Sequence, residues 1–229
     1  MSRRYSIACA SAMLLTLAGL LGAQTITHRS AGSPEPARQN AESGVHVRGW
    51  RARFDDRGAA AELLFFRRMG PGLHLTTLPA ALVWKPVQVA AGDYRFSAFF
   101  SSQVMPQNSG AFGLFVGVLG LENEVHGTRR FWYVATASTN IERRNPSRQV
   151  LVDWTDSSAL MKPDAQGTLY SRLTVQVIGD AAHFMANSKE VARLPASQLD
   201  LSGIVGIRVE DHVDLHIEGP GFSGRHEGE

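Results

Sequence analysis

The sequence is short of cysteine. Its 229 residues contain a single cysteine, Cys9, which lies inside an apolar stretch near the start of the chain. A lone cysteine cannot close an internal disulfide, and a position in an apolar leader leaves no thiolate for a zinc site or a nucleophile. The folded part must therefore be held by a hydrophobic core, for which a chain of this length is sufficient.

The sequence also lacks a membrane-length apolar run. The apolar stretch covers only residues 7–21, follows Arg3 and Arg4 and precedes the small residues Gly22 and Ala23. A spanning helix needs roughly 20 apolar residues, whereas the order charged, apolar, small is typical of a secretory signal. We therefore expect a signal peptide over residues 1–23 and a secreted or periplasmic bacterial protein. A retained anchor and twin-arginine export are the alternatives.

The sequence also has no large excess of positive or negative charge. The chain has 23 Lys+Arg and 21 Asp+Glu, and cleavage near Ala23 would remove Arg3 and Arg4, which leaves 21 of each sign. A formally neutral chain offers no electrostatic argument for binding nucleic acid or anionic lipid. We expect neither partner and no stable membrane insertion after cleavage, and the oligomeric state stays open.

Helical periodicity is absent, and alternation with a period of two takes its place. Residues 173, 175 and 177 are apolar with polar neighbours, and Val213, Leu215 and Ile217 repeat the pattern. Alternate side chains of a strand point to opposite faces, so this pattern predicts half-buried antiparallel strands. About twelve such segments predict an all-β fold, a two-sheet antiparallel sandwich. We expect a disordered linker over residues 24–44, one domain over 45–223 and a tail over 224–229.

Several local features refine this prediction. Residues 112–119 are almost wholly apolar, which suits a central strand covered on both sides. Lys85 and Pro86 are expected to end the strand that begins near Ala81, because proline cannot donate to a ladder. Gly179-Asp180 predicts a tight hairpin, and residues 194–201 are expected to hold the one short helical turn.

Several segments together resemble a known family. They are Gly70-Pro71-Gly72-Leu73-His74-Leu75-Thr76-Thr77, Trp84, Ala91-Gly92-Asp93-Tyr94-Arg95-Phe96, Phe112-Gly113-Leu114-Phe115-Val116-Gly117, Phe131-Trp132-Tyr133, the stretch from Leu173 through Gly179-Asp180, Phe184 and Asn187 to Leu194-Pro195, and Gly203-Ile204-Val205-Gly206-Ile207-Arg208-Val209. Over residues 47–222 the chain resembles concanavalin A-like jelly-roll domains of secreted bacterial proteins, near the 3-keto-disaccharide hydrolase-type and laminin G-like groups. The resemblance implies architecture, and this architecture hosts lectins, glycanases and structural modules alike.

Retaining glycanases of this fold carry a Glu-x-Asp-x-x-Glu strand motif, whose two catalytic carboxylates lie about 5–5.5 Å apart. The nearest match is Glu122-Asn123-Glu124, which lacks the third acid and falls in a glycine-flanked loop. We therefore expect a solvated loop there and assign no catalytic residue.

Four polar residues, His212, Asp214, His216 and Glu218, alternate near the C-terminus. On one strand they would share a face, and imidazole and carboxylate groups are ordinary metal ligands. One strand splays such groups, so we favour the solvent face of the last strand and predict no metal and no cofactor.

The remaining candidate is aromatic. Trp132 and Trp154, with Trp84 as a further candidate, fall on predicted strands, where a ring on an open sheet face stacks well on a sugar. Arg130, Arg143 and Asp153 are the predicted hydroxyl-binding groups, and core packing is the alternative reading of the tryptophans. The sequence thus favours an exported module that binds a saccharide or cell-envelope glycan on one sheet face. The alternatives are a glycoside-acting enzyme and a structural domain without ligand.

Overall fold

The computed structural model describes residues 44–56, 58–103, 110–121, 130–135, 138–144 and 149–225. At 103, 130–135, 138–140, 142–144, 154 and 225 it describes the backbone alone. All described residues belong to one compact unit, Glu35–Glu229.

The described chain is almost entirely β-structure. Two short 3-10 turns interrupt it, Ala61–Leu63 and Ala196–Gln198. The second confirms the turn expected within residues 194–201, but the first shows that the expectation of a single helical turn was wrong. The fourteen strands are β1 Gly44–Val45, β2 Arg51–Phe54, β3 Leu64–Met69, β4 Gly72–Thr77, β5 Ala81–Gln103, β6 Phe112–Val118, β7 Arg130–Ala135, β8 Ser138–Arg144, β9 Gln149–Asp156, β10 Thr168–Ile178, β11 Ala181–Ala186, β12 Lys189–Pro195, β13 Gly203–Val209 and β14 Val213–Arg225.

The strands form two sheets that share β5. Sheet A has the order β1-β3-β4-β14-β5-β10-β11-β12, and sheet B has the order β2-β5-β13-β6-β7-β8-β9. All pairings are antiparallel except that between β1 and β3. The predicted hairpin is confirmed, since β10 and β11 pair directly across Gly179-Asp180.

Strand β5 corrects one prediction. It continues through Lys85 and Pro86 instead of ending there. Its pairing with β2 stops at Trp84, and its pairing with β13 shifts register between Ile204 and Gly206. Pro86 therefore falls where neither neighbour supplies a paired residue, so its missing N–H breaks no ladder bond.

The same strand passes from one sheet to the other between Ala90 and Ala91, next to Gly92. Ala90 is the last residue paired in sheet B and Ala91 the first paired in sheet A. Gly92 has φ +62°, a left-handed conformation that glycine adopts without strain. This bend lets one strand line both layers.

The main core lies between the two sheets. Alternate residues of β5 face into it, and so do the residues predicted on β10 and β14; all are buried: Tyr94, Phe96, Ala98, Phe100, Leu173, Val175, Val177, Val213, Leu215 and Ile217. Their neighbours on the same strands form the outer face of sheet A, and most of them are at least partly exposed. Thr174 is the exception on β10, buried at 3% exposure.

A second apolar cluster covers the other face of sheet B. It consists of six buried residues: Leu82, Trp84, Ala111, Phe115, Val118 and Leu121. Strand β6 is consequently buried along its whole length, as predicted for a strand covered on both sides. Trp84 is 3% exposed, so its candidacy as a sugar-stacking ring was wrong and its ring is a packing element.

Beside this cluster lies a buried cation. Arg208 on β13 is 1% exposed, and its guanidinium donates to both carboxylate oxygens of Asp55 at 2.8 Å. It also donates to both oxygens of Glu210 at 3.0 Å. Burial alone would lower the pKa of Arg208, but the two carboxylates outweigh it and raise that pKa above its usual value.

Among the described residues, no helix has the length and apolar character to cross a membrane.

Candidate functional site

The outer face of sheet A carries a continuous set of aromatic and polar side chains. They come from five neighbouring strands, β3, β4, β14, β5 and β10, and each alternates with a buried core residue. We name this surface the sheet A patch: Phe65, Arg67, His74, Thr76, Phe99, Ser101, Tyr170, Arg172, Asp214, His216 and Glu218.

Strand register aligns the centre of the patch into one row. Arg67 pairs with His74, His74 with His216, His216 with Ser101 and Ser101 with Tyr170. Directly opposed residues of antiparallel strands share a face, and neighbouring strands lie about 4.8 Å apart. The row therefore spans about 19 Å across five strands, with an arginine at one end and a tyrosine at the other.

Two imidazole–carboxylate contacts occupy the middle of the patch. His74 Nε2 lies 2.6 Å from Asp214 Oδ1, and the Thr76 hydroxyl is 3.5 Å from the same oxygen. A carboxylate can only accept, so the imidazole donates. The hydrogen bond from His74 holds the pKa of Asp214 below its usual range, although partial burial acts in the opposite direction.

The second contact joins His216 to Glu218, with Nε2 3.2 Å from Oε1. This imidazole lies over Gly72 on β4. A Cβ at Gly72 would come within 2.7 Å of His216 Nε2 and 2.7 Å of the Ile217 carbonyl oxygen. A glycine is therefore required where the histidine ring crosses the neighbouring strand.

Aromatic rings flank these contacts on both sides. Phe99 and Tyr170 stack with ring centroids 6.2 Å apart and an interplanar angle of 25°, and Tyr170 is 38% exposed. The Arg172 guanidinium lies 5.8 Å from the Phe99 centroid. On the other side, Arg67 lies 4.7 Å from the Phe65 centroid. The patch thus combines flat apolar surfaces with donors and acceptors, the composition of a site that orients a ligand bearing both kinds of surface.

The same geometry argues against acid–base catalysis by the patch carboxylates. Asp214 and Glu218 are four residues apart on β14, about 13 Å along an extended strand. Glycoside hydrolysis by two carboxylates needs them about 5–9.5 Å apart. The remaining nitrogen of His74, Nδ1, is buried without a hydrogen-bond partner among the protein atoms described, so it does not reach a ligand.

The site residues predicted from the sequence lie elsewhere, on the outermost strands of sheet B. Trp132 and Arg130 are in β7, Arg143 is in β8, and Trp154 and Asp153 are in β9. These three strands are neighbours, so the fold brings the five positions to one part of the sheet. Asp153 is exposed; the other four side chains lie outside what the structure describes.

The register of these strands separates two of those positions. Trp132 stands opposite Phe115 and Glu142, whereas Arg143 stands opposite Phe131. Because adjacent positions on a strand belong to opposite faces, the positions of Trp132 and Arg143 fall on different faces of sheet B. The saccharide site predicted from all five residues stays a prediction.

The expectation for His212 was wrong. It precedes β14 in a turn with φ +57° and does not share a strand face with Asp214, His216 and Glu218. It lines a cavity of about 400 Å³ together with Asp55, Asp211 and the apolar residue Leu78. Among the described residues no three His, Cys, Asp or Glu side chains converge as metal ligands, and Glu122 and Glu124 lie outside those residues.

The patch residues that the sequence did not single out come from four strands, β3, β4, β5 and β10. Phe99, Ser101 and Tyr170 belong to no sequence motif, and Arg67 is followed only by Arg68, which does not make a basic patch. The signal that could have found Phe99 is alternation, because it stands between Ala98 and Phe100 and adjacent residues of a strand point to opposite faces. Only the pairing of β4 with β14 and of β14 with β5 could have placed them together.

Comparison with known proteins identifies the fold. No protein-family model and no curated protein matches the sequence. Solved structures do match: the carbohydrate-binding module CBM66 from Bacillus subtilis has a TM-score of 0.55 at 11% identity, over 79% of this chain and 98% of that one. A Bacillus subtilis protein of unknown function with a galectin-like fold has a TM-score of 0.56 at 14% identity, over 78% and 92%.

A Bacteroides ovatus mixed-linkage glucan GH16 protein, in complex with a G4G4G3G product, has a TM-score of 0.51 at 8% identity, over 77% of this chain and 95% of that one. The chain therefore has the fold of these proteins, a two-sheet jelly-roll β-sandwich, and the fold that the resemblance in its sequence implied is confirmed. At these identities the likeness concerns the fold alone.

Proposed function

We propose that this protein is a saccharide-binding β-sandwich and that the sheet A patch is its binding surface. The observation that carries the proposal is the stacked pair Phe99 and Tyr170, which lies beside a row of hydrogen-bonding groups on one open sheet face. A sugar ring has an apolar face that packs on an aromatic ring and a rim of hydroxyls that exchange hydrogen bonds.

The polar groups suit this role because their positions are fixed. His74 holds Asp214 in place and Glu218 holds His216, and the Ser101 position stands between His216 and Tyr170 in the row. Side chains held by such contacts lose less rotamer freedom when a ligand binds. Two of the matching folds, the carbohydrate-binding module and the product complex, are of proteins whose descriptions involve saccharides, which supports the proposal by analogy.

The residues predicted from the sequence on β7, β8 and β9 form the second proposed saccharide-binding site. Trp132 and Trp154 would supply the stacking surface there, with Arg130 and Asp153 as the proposed polar partners, whereas the position of Arg143 falls on the face opposite to that of Trp132. The signal-like residues 1–23 support an exported protein whose ligand is an extracellular or cell-envelope glycan.

A glycan array followed by affinity gels tests the proposal. Tyr170→Ala should weaken saccharide binding about tenfold, which corresponds to about 1.4 kcal/mol, because it removes half of the stacked pair. Met161→Ala is the matched control, since Met161 is a similarly exposed apolar residue, at 50%, outside the patch strands.

Trp132→Ala and Trp154→Ala in the same gels locate the site. If these two variants lose binding while Tyr170→Ala retains it, the site lies on sheet B. Failure of the unaltered chain to bind any saccharide on the array would refute the function itself.

A further inference from the structure

We infer that the saccharide bound by the sheet A patch is anionic, carrying carboxylate or sulfate groups. The inference rests on the proposed function and adds the class of ligand. It comes from how the charged side chains on this face are partnered.

The carboxylates of the face are already engaged. Asp214 is bound by His74 and Glu218 by His216, as described above. Further along the sheet, Glu190 on β12 lies 2.5 Å from His183 Nδ1 on β11. A carboxylate held by an imidazole repels an approaching anion less than a bare one does, because the N–H dipole or the positive charge of the ring offsets it.

Asp93, at the end of the face on β5, is engaged in another way. Its side chain accepts a hydrogen bond from the backbone N–H of Gly179 at 2.8 Å. The described acids that point out from sheet A are therefore each tied to a donor of the protein itself.

Unlike these acids, which are each tied to a donor, two arginines on the same face have no partner of opposite charge among the described residues. Arg95 on β5 and Arg172 on β10 are exposed, and within the part of the chain that the structure describes neither has a carboxylate partner. Arg172 rests against the ring of Phe99. A guanidinium presents five N–H donors in a planar fork that matches a carboxylate or sulfate, and stacking on an aromatic ring leaves its edge free to donate.

The two arginines bracket a strip of short polar side chains. Ser97 pairs with Thr174 between them, and Arg172 pairs with Phe99. Along β5 the distance from Arg95 to the level of Phe99 is about 13 Å. A saccharide chain that stacks at Phe99 and Tyr170 and runs along the strip would thus meet a guanidinium at each end.

The experiment measures binding of the full chain to paired saccharides at constant ionic strength. Oligogalacturonate is compared with its methyl ester, and dextran sulfate with dextran, so the members of each pair share a sugar backbone and differ in the presence of the anionic group. We expect the anionic member of at least one pair to bind about tenfold more tightly, and the pair that responds identifies carboxylate or sulfate as the group bound. Arg95→Gln and Arg172→Gln should each weaken that binding about tenfold, the effect of losing one charge-assisted hydrogen bond.

Arg48→Gln is the matched control, because it removes the same charge from an exposed turn outside the patch strands. Equal binding of charged and neutral partners, still dependent on Tyr170, would overturn the anionic inference and leave the proposed function standing. Absence of binding to all four saccharides and to the array would overturn both. Equally tight binding of single-stranded DNA would also overturn the inference, because the surface would then respond to charge without regard to sugar.

Discussion

Removal of the buried guanidinium of Arg208 tests the account of the fold most directly. The side chain is 1% exposed on a central strand of sheet B and donates to both oxygens of Asp55 and of Glu210. In Arg208→Met the new side chain fills most of the space but donates nothing. Two carboxylates then lose their partner at the edge of an apolar cluster.

The expected magnitude follows from the burial of those carboxylates. Breaking a buried ion pair by removing one partner costs about 3–5 kcal/mol. Asp55 and Glu210 retain 38% and 29% of their side-chain exposure, so water solvates them partly once Arg208 is gone. We therefore expect the lower end, about 3 kcal/mol, and a melting temperature lower by about 6–12 °C for a domain of this size.

Urea unfolding followed by circular dichroism measures the change. A double variant, Asp55→Asn with Glu210→Gln, should cost more than the sum of its single variants, because only the pair of changes leaves the guanidinium buried without a charged partner. A loss below about 1 kcal/mol for Arg208→Met would show that the ion pairs contribute little. Strict additivity in the double variant would show that the two carboxylates do not substitute for one another as partners of the guanidinium.

The remaining predictions concern the patch and its support. Gly72→Ala should destabilise the domain by about 1–3 kcal/mol and displace the His216 ring, because a Cβ there overlaps that ring and a strand carbonyl; urea unfolding and the imidazole NMR shifts measure both. The pKa of Asp214, followed by NMR, should lie below the usual range and rise in His74→Gln. The pKa of Asp214 is lower in the folded state than in the unfolded state. The contact with His74 therefore stabilises the fold fully at pH values above the ordinary carboxyl pKa, and this stabilisation is lost as the pH falls through the folded-state pKa. Tyr94→Phe should cost about 1 kcal/mol because its buried hydroxyl donates to a backbone carbonyl.

Each of these predictions has a control. Gly221→Ala places a Cβ no closer than 3.5 Å to another atom and should be nearly neutral; equal losses at both glycines would contradict the argument from space. An unchanged Asp214 pKa in His74→Gln would assign the shift to another cause. Burial raises the pKa of Tyr94, so ultraviolet titration should detect no ionisation of this residue until the domain unfolds, and its titration at the ordinary tyrosine value would contradict the burial of its hydroxyl.

Alternation of apolar residues was sufficient to predict the strands of the core. Leu173, Val175 and Val177 on β10 and Ile217 on β14 are buried as their spacing requires. The reason is local: a strand has a period of two whatever it pairs with, so its pattern records one covered face. A different pattern predicted β6: its almost unbroken apolar run indicated a strand covered on both sides.

Which strands and side chains are neighbours was decided by the tertiary structure. Pro86 is tolerated within β5 only because both neighbouring ladders are interrupted there, and Arg208 is buried only because Asp55 lies across the sheet from it. Likewise His74 and Asp214 are 140 residues apart in the chain and meet because β4 pairs with β14. Periodicity therefore determined the strands, the fold class and which residues fill the core. The binding face and the buried ion pairs were decided by strand pairing, which joins distant segments through contacts that no local pattern encodes.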